Sequence, residues 1–297
     1  MSKELTMGQV RAWINEIYGS FNVRNLWYEH NIQTIEAKAV LRTYLNRLVA
    51  ESVIAKTPID GTYRRIDTHK VPINWETADP DNNLPIQLPF GLHTHCKIFP
   101  KSIIIVAGSK SEGKTAYLTE CVKLNMEYFN IDFYNSESGK EQLKTRFMAL
   151  DIPTPAPFAT WERYDNFADV IEPDHLSIID YLDTQSEFVL AGDEINNIFM
   201  KLTTGCAIIG LQKPPPSVTY IKGVKKIIDR DLAYGGGLTM KRAQLYISMS
   251  QHRLKIADCK TPMNPTLHPK NMMWSYDFDE KGCFTNINRY EEYEGYE

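Results

Sequence analysis

The sequence predicts an α/β domain built on a mainly parallel sheet flanked by helices, preceded by a small domain of three helices and a β-hairpin. Three observations carry that expectation. From residue 101 onward, short apolar runs alternate with longer segments of helical period, the rhythm of strands joined by crossover helices. The run Gly108-Ser109-Lys110-Ser111-Glu112-Gly113-Lys114-Thr115 falls between the first apolar run and the first helical segment. The opening seventy residues follow a pattern of their own.

In that opening part, residues 6–20 place Val10, Trp13, Ile14 and Ile17 at helical spacing. A second helical run, 23–30, carries Leu26 and Trp27. A third, 34–52, carries Ile35, Ala39, Leu41, Leu45 and Leu48, with Thr34 placed to cap it and Glu36 in its first turn. Residues 53–56 and 62–66 then flank Pro58-Ile59-Asp60-Gly61, a hairpin signal. Over about residues 5–68 this order resembles the winged-helix variant of helix-turn-helix domains. The boundary is expected near residue 72. Residues 73–100, rich in Pro, Asp and Asn at their start, read as a linker and lead-in to the core.

Beyond it, strands are expected at 102–107, 131–134, 176–179, 207–211, 243–249, 254–258 and 272–278. Helices are expected at 114–129, around 140–150 and near 187–202. This second domain is placed at 101–288, with 289–297 as an acidic, solvated tail.

Composition narrows the function classes. The chain has 297 residues, 43% hydrophobic and 24% charged, which excludes a largely disordered, collagen-like or coiled-coil protein. No apolar run is long enough to span a bilayer, and the start lacks a signal peptide's apolar core. The five cysteines are scattered and never in a CxxC pair, so they are expected as free thiols in the cytoplasm. Net charge is -4, yet residues 1–70 hold ten Lys/Arg against seven Asp/Glu. Local basic patches must therefore carry any case for a polyanionic partner.

The run 108–115 satisfies GxxxxGK[ST] in the strand-to-helix context that the pattern requires. Its glycines let backbone N–H groups turn inward on phosphates, and the helix N-terminus adds a favourable dipole. Lys114 supplies a point charge and the Thr115 hydroxyl a Mg²⁺ ligand. The competing reading is a glycine turn with a surface lysine.

Three further strand ends carry polar groups: Glu137 after the second strand, Asp180 after the third and Gln212 after the fourth. Here residues 84–285 resemble the RecA-like ATPases, especially the DnaB-type helicase branch, and more loosely the small ATPases of phages and mobile elements. The resemblance implies ATP and Mg²⁺. It implies that Glu137 polarises the attacking water, Asp180 holds the metal and Gln212 senses the γ-phosphate. Plainer roles compete: Asp180 as a loop cap, Glu137 as a helix-start carboxylate, Gln212 as an ordinary strand end. Lys213-Pro214-Pro215-Pro216 departs from the helicase pattern after Gln212.

Residues 213–242 hold Lys213, Lys222, Lys225, Lys226, Arg230, Lys241 and Arg242 against Asp229 and Asp231. In RecA-like proteins this region supplies the loop that lines the path of single-stranded DNA; the alternative is a solvated basic helix over 222–231 with a glycine hinge. In the first domain Lys38 and Arg42 on the third helix, and Arg64 and Arg65 on the wing, are candidates for duplex DNA. The resemblance also implies a cation acting across subunits in a ring or filament, for which Arg253 and Lys260 are candidates. His93, His95 and Cys96 have no second ligand cluster, which favours a structural role on a strand over a zinc site.

The expected function is a DNA-dependent helicase, translocase or recombination ATPase of phage or mobile-element replication. A helicase loader or an ATP-switched DNA-binding regulator is the alternative, and a signalling ATPase without DNA the third class.

Overall fold

The computed structural model describes residues 5–17, 19–182, 188–221 and 224–290. The chain divides into two compact units, Met1–Ala78 and Asp79–Glu297.

The first unit runs α1 (Met7–Glu16), β1 (Ser20–Asn22), α2 (Val23–Glu29), α3 (Ile35–Ala50), β2 (Ile54–Lys56) and β3 (Thr62–Arg65). Thr6 and Gln9 form a capping box that starts α1. Thr34 caps α3, accepting from the Ala37 N–H at 3.2 Å. The β2–β3 turn needs Gly61, whose φ is +66°. β1 was not expected, because three residues are too few to show an alternation. It pairs antiparallel with β3, Phe21 opposite Tyr63, in a sheet of order β1-β3-β2. Val10, Ile14, Leu26, Leu41, Leu45, Leu48 and Ile54 form the core between helices and sheet, each side chain contributing about 1.5–3 kcal/mol by leaving water.

The second unit runs β4 (Ser102–Gly108), α4 (Lys114–Asn125), β5 (Ile131–Asn135), α5 (Lys140–Ala149), β6 (Ala159–Glu162), β7 (Leu176–Asp180) and α6 (Phe188–Lys201). It continues with β8 (Cys206–Gln212), β9 (Ser217–Ile221), β10 (Val224–Ile228), α7 (Gly237–Met240), β11 (Ala243–Ser250), β12 (Arg253–Cys259), β13 (Met273–Phe278) and β14 (Phe284–Tyr290). Nine strands form one sheet in the order β14-β13-β12-β11-β4-β8-β7-β5-β6. The run from β11 to β6 is parallel, and β12 to β14 add antiparallel strands at one side. β4 is buried on both faces. Ile104 and Val106 pack with Tyr117, Leu118 and Phe133 on one face, and Ile103, Ile105 and Ala107 pack with Ile195, Ile198 and Leu202 on the other. Among the described residues no helix is long and apolar enough to cross a membrane.

The structure departs from the sequence reading at several points. Within 73–100, Ile86, Leu88, Leu92, Cys96 and Ile98 are buried in the core, so this stretch is more than a linker. The strand expected over His93–Cys96 is instead a 3₁₀ turn, Pro89–Thr94, followed by a single antiparallel bridge from Cys96 to Pro262. β6 was missed because it is a short edge strand with little apolar alternation. β14 carries the sheet past the expected boundary at 288: Arg289 pairs with Trp274 and Tyr290 with Met273. The rest of the acidic tail, 291–297, lies outside the described residues. The helix entertained over 222–231 is replaced by β10, which pairs antiparallel with β9. Val224, Ile227 and Ile228 are β-branched and favour that pleated backbone.

Candidate active site

β4 delivers Gly108 to its C-terminal end, where the chain turns into α4. A Cβ on Gly108 would meet Lys114 Cγ at 2.5 Å, so glycine lets the lysine fold back over the strand end. Gly113 has φ +87°, and a Cβ there would meet the Phe278 ring at 2.6 Å. The loop is anchored on its neighbours. The Ser109 N–H donates to the Met249 carbonyl at 3.2 Å, and the Lys213 N–H to the Gly108 carbonyl at 3.1 Å. The Glu112 carboxylate accepts from the His252 N–H at 2.9 Å, and its carbonyl accepts from the Tyr276 hydroxyl at 2.7 Å.

Lys114 is buried, with Nζ 3.0 Å from Gln212 Oε1 and 5.2 Å from the centre of the Tyr181 ring. Burial lowers its pKa, and the nearby Glu137 and Asp180 carboxylates oppose that shift. The Thr115 hydroxyl donates to Asp180 Oδ1 at 3.1 Å. Asp180 Oδ2 and Ser109 Oγ are buried without a partner. Burial pushes the Asp180 carboxyl up to about 6, although the Thr115 hydrogen bond pulls the other way. A divalent cation bound through oxygen ligands and waters fits this place: it would satisfy the orphaned oxygen and favour the ionised carboxylate.

Glu137 is held between two fixed neighbours. Ser136 Oγ accepts from the Tyr181 N–H at 3.1 Å and donates to the Tyr181 carbonyl at 2.7 Å. On the other side Asn135 brackets Ser138, whose hydroxyl accepts from Arg146 at 2.9 Å. The loop thus presents Glu137 to the same cavity as Lys114 and Gln212. β8 lies between β4 and β7, which is why Gln212 at its end reaches Lys114.

The cavity is about 440 Å³. Lys110, Ser111, Gly113, Lys114 and Thr115 line one end; the other runs along α4 past Thr119 and Glu120. Gln142 and Arg146 of α5, with Phe278, Cys283 and Phe284 of the β13–β14 hairpin, complete the lining, Phe278 and Phe284 lying against Gly113. Burial pushes the Glu120 carboxyl up to about 7. The sequence reading missed all of these lining residues of α4, α5 and the hairpin. Gln142 and Arg146 carry a weak signal, a four-residue spacing on the helix after Glu137; the hairpin residues carry none, because only strand pairing brings them here.

The structure therefore gathers the loop 108–115, Glu137, Asp180 and Gln212. It separates the other candidates. Arg253 opens β12 beside the turn after β11, at the loop's end of the sheet, and lines a cleft with Asp229, Asp231 and Ser250. Lys260 follows the far end of β12, its N–H on the Gln244 carbonyl at 2.9 Å. Seven strand residues put the two roughly 20 Å apart, at opposite sheet ends. Lys213, counted among the charges of the candidate DNA-lining region, is 1% exposed, 3.0 Å from both Asp229 Oδ1 and Ser248 Oγ. It is used inside the protein. Arg230 is exposed between Asp229 and Asp231, the latter paired with Lys255 at 2.9 Å. Lys222 lies outside the described residues; Lys225 and Lys226 pair through their backbones with Tyr220 and Thr219.

In the first unit Lys38 and Arg42 share a groove of about 590 Å³ with Arg24 and Lys56, which sequence reasoning did not single out. Lys38 Nζ sits 4.5 Å over the Trp27 ring. Arg65 turns away from the groove to the Asn15 carbonyl at 2.9 Å, and Arg64 to the Arg65 carbonyl at 3.5 Å. His93 Nδ1 faces the Leu88 backbone at 3.0 Å and His95 packs beside Trp274. Among the described residues no group of three metal-ligating side chains forms.

No protein-family model matches the sequence, and no curated protein matches it. The backbone is similar to three solved structures. A KaiC-like protein of Pyrococcus horikoshii aligns with 70% of this chain and 98% of its own, at 13% identity and a TM-score of 0.46. A solved ATPase domain aligns with 70% of this chain and 94% of its own, at 13% and 0.48. The RadB recombinase aligns with 63% and 91%, at 12% and 0.40. Scores below 0.5 mark partial overlap of backbones, so the function rests on the site itself.

Proposed function

We propose that this chain is a Mg²⁺-dependent ATPase of the RecA type, nearest the DnaB-like branch, that works on DNA as a cytoplasmic homo-oligomer. The observation that carries the reading is one cavity lined by Lys114, Thr115, Glu137 and Gln212 at adjoining strand ends, with Asp180 bonded to Thr115. Strand C-termini are where open α/β sheets bind ligands.

The loop amides and Lys114 hold the β- and γ-phosphates, while the rest of the cavity takes the nucleoside. Thr115 and Asp180 would hold Mg²⁺, which would supply charge stabilisation for transfer of the γ-phosphate to water. Glu137, fixed by Ser136 and Ser138, orients that water and accepts its proton. Lys114 Nζ lies 3.0 Å from Gln212 Oε1, so a γ-phosphate bound by the lysine would be within reach of the glutamine that is to report it. Arg253, at the loop's end of the sheet, suits the cation acting across subunits better than Lys260 does.

For DNA, the groove holding Arg24, Lys38, Arg42 and Lys56 supports a winged-helix contact to a duplex, and the order of the first unit's elements agrees with that fold. The β9–β10 hairpin, with Tyr220 exposed and Lys225 and Lys226 on it, is the candidate for single strands. This favours a helicase, translocase or recombination ATPase in phage or mobile-element replication. A second reading, a helicase loader or ATP-switched DNA-binding regulator, draws on the hairpin's base. There Lys213 and Lys255 hold Asp229 and Asp231, which limits its movement.

The test is ATP turnover with and without single- and double-stranded DNA at several salt concentrations. Lys114→Ala should abolish turnover; an unchanged rate overturns the proposal. DNA stimulation that falls steeply with salt supports phosphate contacts. Unwinding separates a helicase from a loader.

A further inference from the structure

The sheet end away from the phosphate loop holds a feature that nucleotide chemistry does not use. Cys96, in the segment leading into β4, and Cys259, the last residue of β12, bring their Sγ atoms to 2.7 Å. Both are buried, at 1% and 2% exposure. The backbones around them are fastened together. Cys96 bridges Pro262, the Lys97 N–H donates to the Thr261 carbonyl at 2.9 Å, and the Met263 N–H donates to the His95 carbonyl at 2.9 Å. Gln244 Nε2 adds a bond to the Lys97 carbonyl at 2.7 Å. The sulfurs are therefore held face to face and need to close by less than roughly one ångström to reach the bonded distance.

Access comes from one side. Cys96 lines a cavity of about 240 Å³ together with His93, Met263 and Asn83, room for several water-sized molecules. Cys259 lies behind it.

We propose that Cys96 and Cys259 form a reversible intramolecular disulfide, made by hydrogen peroxide entering the cavity and undone by a small thiol. In the first step the Cys96 sulfur attacks one peroxide oxygen. The O–O bond breaks, the Cys96 proton leaves with the other oxygen as water, and a sulfenic acid remains. In the second step the Cys259 sulfur attacks Cys96, expelling hydroxide, which takes the Cys259 proton and leaves as water. Two electrons pass from the two sulfurs to the peroxide. A small thiol returns them by exchange through a mixed disulfide. The bond would lock the lead-in segment to β12 across a long stretch of sequence, at the sheet end opposite Gly108.

The inference is independent of the proposed ATPase activity. Purified full-length protein is treated with hydrogen peroxide, quenched, denatured and titrated for thiols, then peptide-mapped without reductant. The thiol count should fall from five to three, with a Cys96–Cys259 cross-linked peptide that dithiothreitol abolishes. Apparent Tm should rise by about 5 °C or more, because a long loop is closed. Cys96→Ser and Cys259→Ser should each lose the cross-link and the Tm rise, whereas Cys283→Ser should keep both. Three outcomes each overturn the proposal: five thiols after treatment, a cross-link mapping to another pair, or Cys96 oxidised past the sulfenic acid without a cross-link. Should one serine variant fail to fold, the wild-type peptide map still decides.

Discussion

Replacing Asp180 by Asn tests whether this site is built for a cation at the expense of the ligand-free protein. Asp180 is fully buried, one oxygen on Thr115 and the other without a partner. Its carboxyl titrates at about 6 in the folded protein against an ordinary 3.8. The folded state thus binds the proton more tightly than the unfolded chain, and stability falls as pH rises between those values. The rise corresponds to about 3 kcal/mol of destabilisation once the group is ionised. Asparagine keeps an acceptor for Thr115 and carries no charge. Ligand-free D180N should therefore melt roughly 6–12 °C above the wild type at pH 8, at about 2–4 °C per kcal/mol. At pH 5 the gap should shrink to about half, since only part of the carboxylate's penalty has accumulated there. Adding MgCl₂ and a nonhydrolysable ATP analogue should reverse the order, stabilising the wild type far more than the variant. Scanning fluorimetry in EDTA and in Mg²⁺-nucleotide at the two pH values reads all of this. A ligand-free variant no more stable than the wild type at pH 8, or a gap unchanged at pH 5, refutes the reasoning.

Two further perturbations probe the frame around the site. Gly113→Ala introduces a side chain where φ is +87° and where Phe278 already fills the space; it should cost about 1–3 kcal/mol in chemical denaturation and weaken nucleotide binding together. An unchanged midpoint would mean the aromatic hairpin yields freely. The Lys213–Asp229 pair should respond asymmetrically. Asp229→Asn strands a lysine that is 1% exposed and should cost about 3–5 kcal/mol, whereas Lys213→Met leaves an aspartate still about a third exposed and should cost clearly less. Equal losses in urea titrations would show that the pair is solvated.

Local chemistry made the centre of this protein legible without coordinates. The run 108–115 is contiguous, and its glycines, lysine and threonine are placed by spacing along the chain. Strand period, helix period, the Thr34 cap and the Asp60-Gly61 turn are likewise written within a few residues of where they act. Glu137, Asp180 and Gln212 could be grouped from sequence because each lies at or just past a strand's end, and strands of a parallel sheet deliver their C-termini to one side. What only the tertiary structure decided depends on which distant segments meet. Part of the cavity wall comes from the β13–β14 hairpin, which strand pairing brings against Gly113, so Phe278, Cys283 and Phe284 show nothing in sequence. Lys213 reads as one more charge in a basic stretch until Asp229 and Ser248 enclose it. Arg253 and Lys260, seven positions apart in sequence, fall at opposite sheet ends because an extended strand carries them there. Burial and pairing are properties of neighbours in space, and a sequence specifies those neighbours only through the whole fold.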